Sequence, residues 1–335
     1  MHRLMTEHDA MPLLRLDAIS RRALTRRLLD RVTLEVAEGE CLALLGAEGS
    51  GRASLLRVIA GLEEPDEGRI LLDGRDITRL PARRRPIAHV FQHDPLFGHA
   101  TVFDTVAAAL PEAGDGDGPT GARVHGLLGL VGLAADAGSM PAMLPAGKRR
   151  RLTLARALAS GPRLLLVGAG FGQADPDRPA PRRWLRDVQR RLGLTMVVVA
   201  QAAEEAMALA DRVAVLVEGR VAQIGTPAEL TRSPVNAAVA RLVGAPAPVQ
   251  AGAEGGLWLP AEALEVVAPG LGMPARVLGA TMLGATVRLD LELLADGRQL
   301  EAEVPSFGIG GALSPGSIIG LRVREGGLRG GAMVN

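Results

Sequence analysis

Gly46-Ala47-Glu48-Gly49-Ser50-Gly51-Arg52-Ala53-Ser54 decides how the rest of this chain is read. Ahead of it lies an apolar run, Cys41-Leu42-Ala43-Leu44-Leu45; behind it comes Leu55-Leu56-Arg57-Val58-Ile59-Ala60-Gly61. Strand, glycine turn and helix start, in that order, form the layout of a phosphate-binding loop. The glycines permit a tight turn whose amide N–H groups face one concavity, and the helix behind adds the positive end of its dipole. The pattern Gly-x-x-x-x-Gly-Lys-[Ser/Thr] then asks for a lysine to reach the outer phosphates and a hydroxyl to ligate magnesium. Arg52 stands at the lysine position and Ala53 at the hydroxyl position. Arg52 keeps the charge as a broad planar fork rather than a compact ammonium, while Ala53 ligates nothing. Ser54 is a remaining candidate phosphate ligand, and Glu48 sets a negative charge close to the anion site. The loop keeps its shape; its two reactive side chains are changed.

A chain of 335 residues has room for two domains and a sizeable core. A formal net charge of +1 excludes broad electrostatic binding of nucleic acid, and the absence of tyrosine with few other aromatics excludes base-stacking platforms. The single cysteine, Cys41, permits no internal disulfide and reads as a small core residue of the strand before the loop. No uninterrupted apolar run reaches the ~18 residues of a membrane span, and Met1 to Met11 has no apolar core of signal-peptide type. A cytoplasmic setting is expected.

Leu13-Leu14-Arg15-Leu16 and Val32-Thr33-Leu34-Glu35-Val36 alternate as short strands, with a basic cluster of Arg21, Arg22, Arg26, Arg27 and Arg31 between them expected on a solvated loop and strand face. Pro162 to Val167 and Thr195 to Ala200 are apolar throughout, the pattern of parallel strands covered on both faces. Val124 to Leu133 and Arg182 to Arg191 have helical periodicity, the second as an exposed helix. Pro246 to Gly256 is rich in Ala, Gly and Pro, a linker composition. Beyond it, Ala275–Leu278, Ala285–Leu291, Gln299–Val304 and Ile318–Val323 alternate as strands, with Asp296-Gly297 as a hairpin turn.

Three further stretches carry a family resemblance. Gly61-Leu62-Glu63-Glu64-Pro65-Asp66-Glu67-Gly68-Arg69-Ile70-Leu71-Leu72-Asp73-Gly74 resembles the segment after the phosphate loop in nucleotide-binding subunits of ABC transporters. His89-Val90-Phe91-Gln92-His93-Asp94-Pro95-Leu96-Phe97 is similar to their Q-loop, and Arg151-Leu152-Thr153-Leu154-Ala155-Arg156-Ala157-Leu158 to the helix after their signature motif. The pairing of Gln92 with His93, with Arg183-Trp184-Leu185-Arg186 later, resembles the sulfate/thiosulfate importer branch.

The resemblance implies an α/β, P-loop NTPase-type ABC ATPase domain at residues 1–245, with a RecA-like sheet core and a helical subdomain near 93–160. A linker at 246–256 and a small all-β, barrel-like (TOBE-like) domain at 257–335 follow. ATP is the implied ligand, cradled by residues 46–54 and sensed by Gln92. The implied partners are an integral-membrane permease, docking through the Q-loop and helical subdomain, and a second ABC subunit of the same or another kind. The place implied is peripheral, on the inner face of the cell membrane.

Against that pattern the chain departs in each of the four pieces that carry ATP hydrolysis. Where the signature Leu-Ser-Gly-Gly-Gln belongs stands Leu144-Pro145-Ala146-Gly147-Lys148: Pro145 replaces the serine, Ala146 the first glycine and Lys148 the glutamine, Gly147 stays, and Pro145 also lacks a backbone N–H. The aspartate and glutamate ending the Walker B strand become Gly168 and Ala169, and the switch histidine becomes Gln201, which carries no charge at neutral pH. Asp175 keeps its D-loop place, and Arg26 or Arg27 stands where an aromatic would stack on adenine. The basic run Lys148 to Arg151 is expected as a solvated helix face. Hence no catalytic residue and no metal ligand is expected, ATP is held weakly at most, and magnesium is left short of ligands. Two other readings stay open: an ATP-hydrolysing importer subunit with an unusual site, using Asp175 or Glu48, and a binding module that uses only the C-terminal barrel.

Overall fold

The computed structural model describes residues 11–23, 26–91, 100–111, 120–170, 181–245, 264–282, 286–297, 299–305 and 314–323. Gln92, Asp175, residues 112–119 and the 246–256 stretch expected as a linker lie outside them.

Strands β1 (Leu14–Ala23) and β2 (Arg26–Val36) pair antiparallel as a long bulged ribbon. The arginine cluster expected on a solvated loop and strand face lies within the two strands. Arg22 and Arg27 face each other across the ribbon, a repulsive pairing that neighbouring acids offset. Asp66 accepts from the Arg21 side chain and from the Arg22 N–H, and Asp30 binds both Arg27 and Arg220. Those two arginines hold the Asp30 carboxyl below its ordinary range, Arg220 the more strongly.

Next come β3 (Cys41–Gly46), α1 (Arg52–Ala60), β4 (Glu67–Leu72), β5 (Arg75–Asp76) and β6 (Ile87–Val90). The helical region follows as α2 (Val102–Ala107), α3 (Thr120–Leu130) and α4 (Ala146–Ala159). The chain then returns through β7 (Leu164–Val167), α5 (Pro181–Leu192), β8 (Thr195–Val199), α6 (Ala203–Leu209), β9 (Arg212–Val217) and β10 (Arg220–Gly225). A four-stranded antiparallel sheet has the order β2-β1-β4-β5, and a six-stranded sheet the order β10-β9-β3-β8-β7-β6. In the second sheet every pair from β9 to β6 is parallel.

That sheet is buried on both faces, which is why its strands lack polar alternation. Leu42, Leu44, Leu164, Leu166, Val197 and Val199 join one core with α1 and the antiparallel ribbon. Cys41, Leu165, Val167, Met196 and Val198 face the other core, with α4 and the inner residues of α5. Helix α5 is thus amphipathic rather than wholly exposed: Leu185 and Val188 are buried while Arg190 and Arg191 face solvent.

Cys41 is fully buried and its thiol is pushed up to about 12, chiefly by that burial. A thiol reagent at pH 8 is expected to leave the native protein unlabelled and to react only across the urea unfolding transition. Rapid labelling in native buffer would contradict the burial.

The described residues divide between Pro227 and Ala228 into two compact units. Helix α7 (Pro227–Arg232) begins at the junction and α8 (Ala237–Val243) follows. The second unit also holds β11 (Leu264–Val267), β12 (Met273–Met282), β13 (Thr286–Leu293), β14 (Gln299–Pro305) and β15 (Ile318–Val323). They form one antiparallel sheet, β11-β15-β12-β13-β14, around a core that includes Leu264, Val277, Leu289, Leu291 and Leu321. Strand β11 is an addition to the four strands legible by alternation. The β13–β14 hairpin turns through Asp296-Gly297 as its sequence required, with Gly297 at φ +72°.

Candidate functional site

The loop between β3 and α1 is walled by segments distant in sequence. Gly219 N–H donates to the Ser50 carbonyl at 3.1 Å, and Asp30 N–H donates to the Gly219 carbonyl at 2.9 Å. Gly51 sits at φ +99°, and a Cβ there would come within 2.5 Å of the Leu28 carbonyl. Gly219, at φ +79°, is pressed against the same carbonyl from the other side. Only glycine tolerates both the left-handed backbone and this approach. Ala47, Glu48 and Gly49 are exposed, whereas Ser50 is buried, its Oγ without a hydrogen-bond partner among the described residues. Helix α1 starts at Arg52 with Gly51 as its N-cap and no side-chain cap, which leaves its first N–H groups to a ligand or water. Ser54 is half-buried in the first turn and Ala53 is exposed. As a backbone cradle for an anion, Gly46 to Ser54 is intact.

Arg52 does not project freely into that cradle. Its Nη1 donates to the Ala200 carbonyl at the end of β8, and its Nη2 to the Ala47 carbonyl at 3.3 Å. Burial lowers the pKa of the Arg52 guanidinium from its ordinary value, against the opposing charges of Glu205 and Glu48. Glu205 is itself buried and accepts from the Gln201 N–H at 2.8 Å. The fold therefore brings Arg52, Ala200, Gln201 and Glu205 together. Glu205 was not legible as a site residue; its one signal is its place four residues after Gln201, in the first turn of α6. Of the two arginines upstream, Arg26 is the one at the loop, with Nη2 3.4 Å from the Gly49 carbonyl, while Arg27 is turned to Asp30.

Strand β7 ends two strands away from β3, with β8 between them. Gly168 N–H donates to the Val90 carbonyl at 2.8 Å, and a Cβ on Gly168 would stand 3.0 Å from Phe91 Cδ1 and 3.3 Å from Phe91 Cα. Phe91 stacks on His89, ring centres 4.6 Å apart, and packs against the core together with Ala169. The ground beside Gly168 is thus taken by an aromatic ring. Hard cations need several oxygen ligands. Ala53, Gly168 and Ala169 supply no side-chain oxygen, and no cluster of three His, Cys, Asp or Glu suited to a metal occurs among the described residues. These residues do not fit magnesium.

Helix α4 begins at Ala146 with Pro145 as its N-cap and no side-chain cap. Gly147 is half-buried, and the Lys148 ammonium is held by both carboxylate oxygens of Asp136 at 2.9 Å. Arg149 donates to the Leu144 carbonyl at 2.7 Å. Arg151 is buried, with Nη1 3.3 Å from the carbonyls of Val131 and Gly132. The run Lys148 to Arg151 is therefore no uniform solvated face. A helix turns successive residues by about 100°, so four consecutive cations cannot share one side.

No helix among the described residues is long and apolar enough to cross a membrane. Residues 29–167 match the ABC transporter family, ABC_tran. The chain is 39% identical over 308 residues to the sulfate/thiosulfate import ATP-binding protein CysA 1 of Chromobacterium violaceum, covering 83% of this chain and 86% of that protein. It is 38% identical over 322 residues to the CysA of Xanthomonas campestris, covering 89% and 93%. Among solved structures, CbiO1 from Clostridium perfringens, part of the ABC transporter complex CbiONQ, superposes with a TM-score of 0.58 at 24% identity over 66% of this chain and 90% of that one. The MJ1267 ATP-binding cassette superposes with a TM-score of 0.56 at 19% identity over 64% and 92%. With the loop, the parallel sheet around it and these relatives in agreement, the chain belongs to the ATP-binding subunits of ABC transporters.

Proposed function

We propose that the chain is the ATP-binding-type subunit of a sulfate/thiosulfate importer system that does not itself hydrolyse ATP. It docks on an integral-membrane permease at the cytoplasmic face through the helical region around α2 to α4 and the Q-loop at Gln92. There it serves as a structural or regulatory subunit, paired with a second ABC subunit. The ATPase-like part runs to about residue 245 and the TOBE-like module from about residue 257. The relatives' names support the transport system, and the chemistry of the site supports the inactivity.

The observation that carries the inactivity is the end of β7, where Gly168 and Ala169 offer no carboxylate and Phe91 lies beside Gly168. Phosphoryl transfer depends on positioning and charge stabilisation. Losing one such stabiliser lowers rates by ~10²–10³. Such losses do not simply multiply when the groups act as a unit. Ala53, Gln201, Pro145 and Ala146 stand with Gly168 and Ala169 among the altered positions. In a pair with an intact subunit, the damage differs between the two composite sites. The one using this chain's loop and β7 is the poorer, and any turnover sits at the one using only Pro145 to Lys148.

The expected result is that purified protein with saturating Mg-ATP releases phosphate at least ~10³-fold more slowly than the ~1–10³ s⁻¹ usual for enzymes. Nucleotide affinity by calorimetry is expected to be weak and indifferent to magnesium. Steady release near 1 s⁻¹, abolished by Gln92→Ala, would overturn the reading in favour of an atypical active site.

A further inference from the structure

The Arg52 side chain joins the phosphate loop to the segment that follows β8. Its two donors go to two main-chain carbonyls, Ala47 in the loop and Ala200 after β8. These carbonyls belong to segments about 150 residues apart, and the guanidinium fork spans them because its N–H groups diverge in a fixed plane. Glu205, buried behind Gln201, favours a cation at this spot. The segment after β8 is further tied to β3 by the Ala200 N–H, which donates to the Leu44 carbonyl at 3.1 Å.

We infer that Arg52 is an internal strut: it bridges the phosphate loop and the Ala200–Glu205 segment, and a phosphate ligand enters only when that bridge breaks. The inference rests on reading Gly46 to Ser54 as an anion cradle and makes Arg52 the residue that sets its selectivity. The ligand class is a phosphate-bearing nucleotide taken without a metal. Its apparent affinity is reduced by the fraction of molecules in which the strut is open. The bridge also couples two segments that a missing side chain would let open separately.

The test has two variants and two readouts, with ATP in EDTA as the probe. Hydrogen exchange at the amides of 47–51 and 200–205 is followed in the ligand-free full-length chain. Arg52→Ala is expected to speed exchange in both segments together, by about tenfold or more, because charged hydrogen bonds are lost at both ends. Arg52→Lys keeps the charge but not the planar fork. It is expected to bind ATP in EDTA about tenfold more tightly than the parent, because the competent fraction rises. Unchanged exchange in Arg52→Ala overturns the strut, as does acceleration in one segment alone. Affinity for ATP that is unchanged or weaker in Arg52→Lys overturns the selectivity. Exchange is read without nucleotide, so steady phosphate release, which sinks the proposed function, leaves this result separately legible. Circular dichroism melts of both variants separate local opening from global unfolding.

Discussion

Arg85→Met is expected to lower the melting temperature by roughly 6–20 °C. The Arg85 side chain is buried, 6% exposed, at the carbonyl end of α1. Its Nη1 donates to Val58 and Ile59 at 2.9 and 2.7 Å, its Nη2 to Thr78 at 2.9 Å and its Nε to Leu80 at 2.8 Å. Two of those carbonyls belong to the last turn of α1, where the dipole is negative; Val58 also accepts from the Gly61 N–H at 3.1 Å. Burial lowers the guanidinium pKa from its ordinary value, with Glu64 opposing, yet arginine stays charged at any working pH. Methionine fills much of the stem but removes the guanidinium donors from the Ile59, Thr78 and Leu80 carbonyls and one of two from Val58, at ~3–5 kcal/mol in total. At ~2–4 °C per kcal/mol for a unit of this size, the melting range follows. Arg85→Lys, with three donors on one nitrogen instead of a fork, should fall between. A shift below about 2 °C for Arg85→Met would show that water or a local rearrangement replaces the fork.

The second large effect concerns the end of β7. Gly168→Asp puts a carboxylate where the family's pattern has one, and it is expected to destabilise the protein by ~1–3 kcal/mol without restoring a magnesium effect. The first atom of the new side chain already meets Phe91 at 3.0 Å and the Val90 carbonyl at 3.3 Å. Phe91 is braced in turn by His89 and the core, so it gives way only by disturbing both. Even a well-placed Asp would lack the hydroxyl partner that Ala53 cannot offer. Urea midpoints measure the first half and calorimetry with and without magnesium the second. Gly168→Ala, which adds the clash but no charge, should account for much of the loss. An undiminished midpoint with newly magnesium-dependent binding would show that the ring never occupied the metal's ground.

How far these arrangements could be read in advance depended on what kind of neighbour each residue has. Strands β3, β7 and β8 were legible because a parallel sheet covered on both faces admits almost nothing but apolar residues. The ribbon β1–β2 was half-legible. Its arginines broke the apolar alternation, and only the fold reveals that Asp30 and Asp66 compensate them. Arg83, Arg84 and Arg85 read alike, yet two are exposed and the third is buried, because only Arg85 reaches the carbonyls at the end of α1. The same limit applies at the site. The substitutions at 52, 53, 168, 169 and 201 were plain, but the partners of Arg52 are main-chain oxygens, for which a sequence has no letter. Glu205 matters through burial, and Arg151 escaped the expected solvated face for the same reason.

The bond from Gly219 to Ser50 sets a timetable for the newborn chain. The cradle's glycines leave the ribosome about 170 residues before the hairpin that closes one side of their wall. At ~5–20 residues per second that is roughly 8–34 s of waiting. Anything that stalls translation short of β9 leaves the loop without that side of its wall, with the apolar strand of Cys41 still lacking one of its two flanking partners.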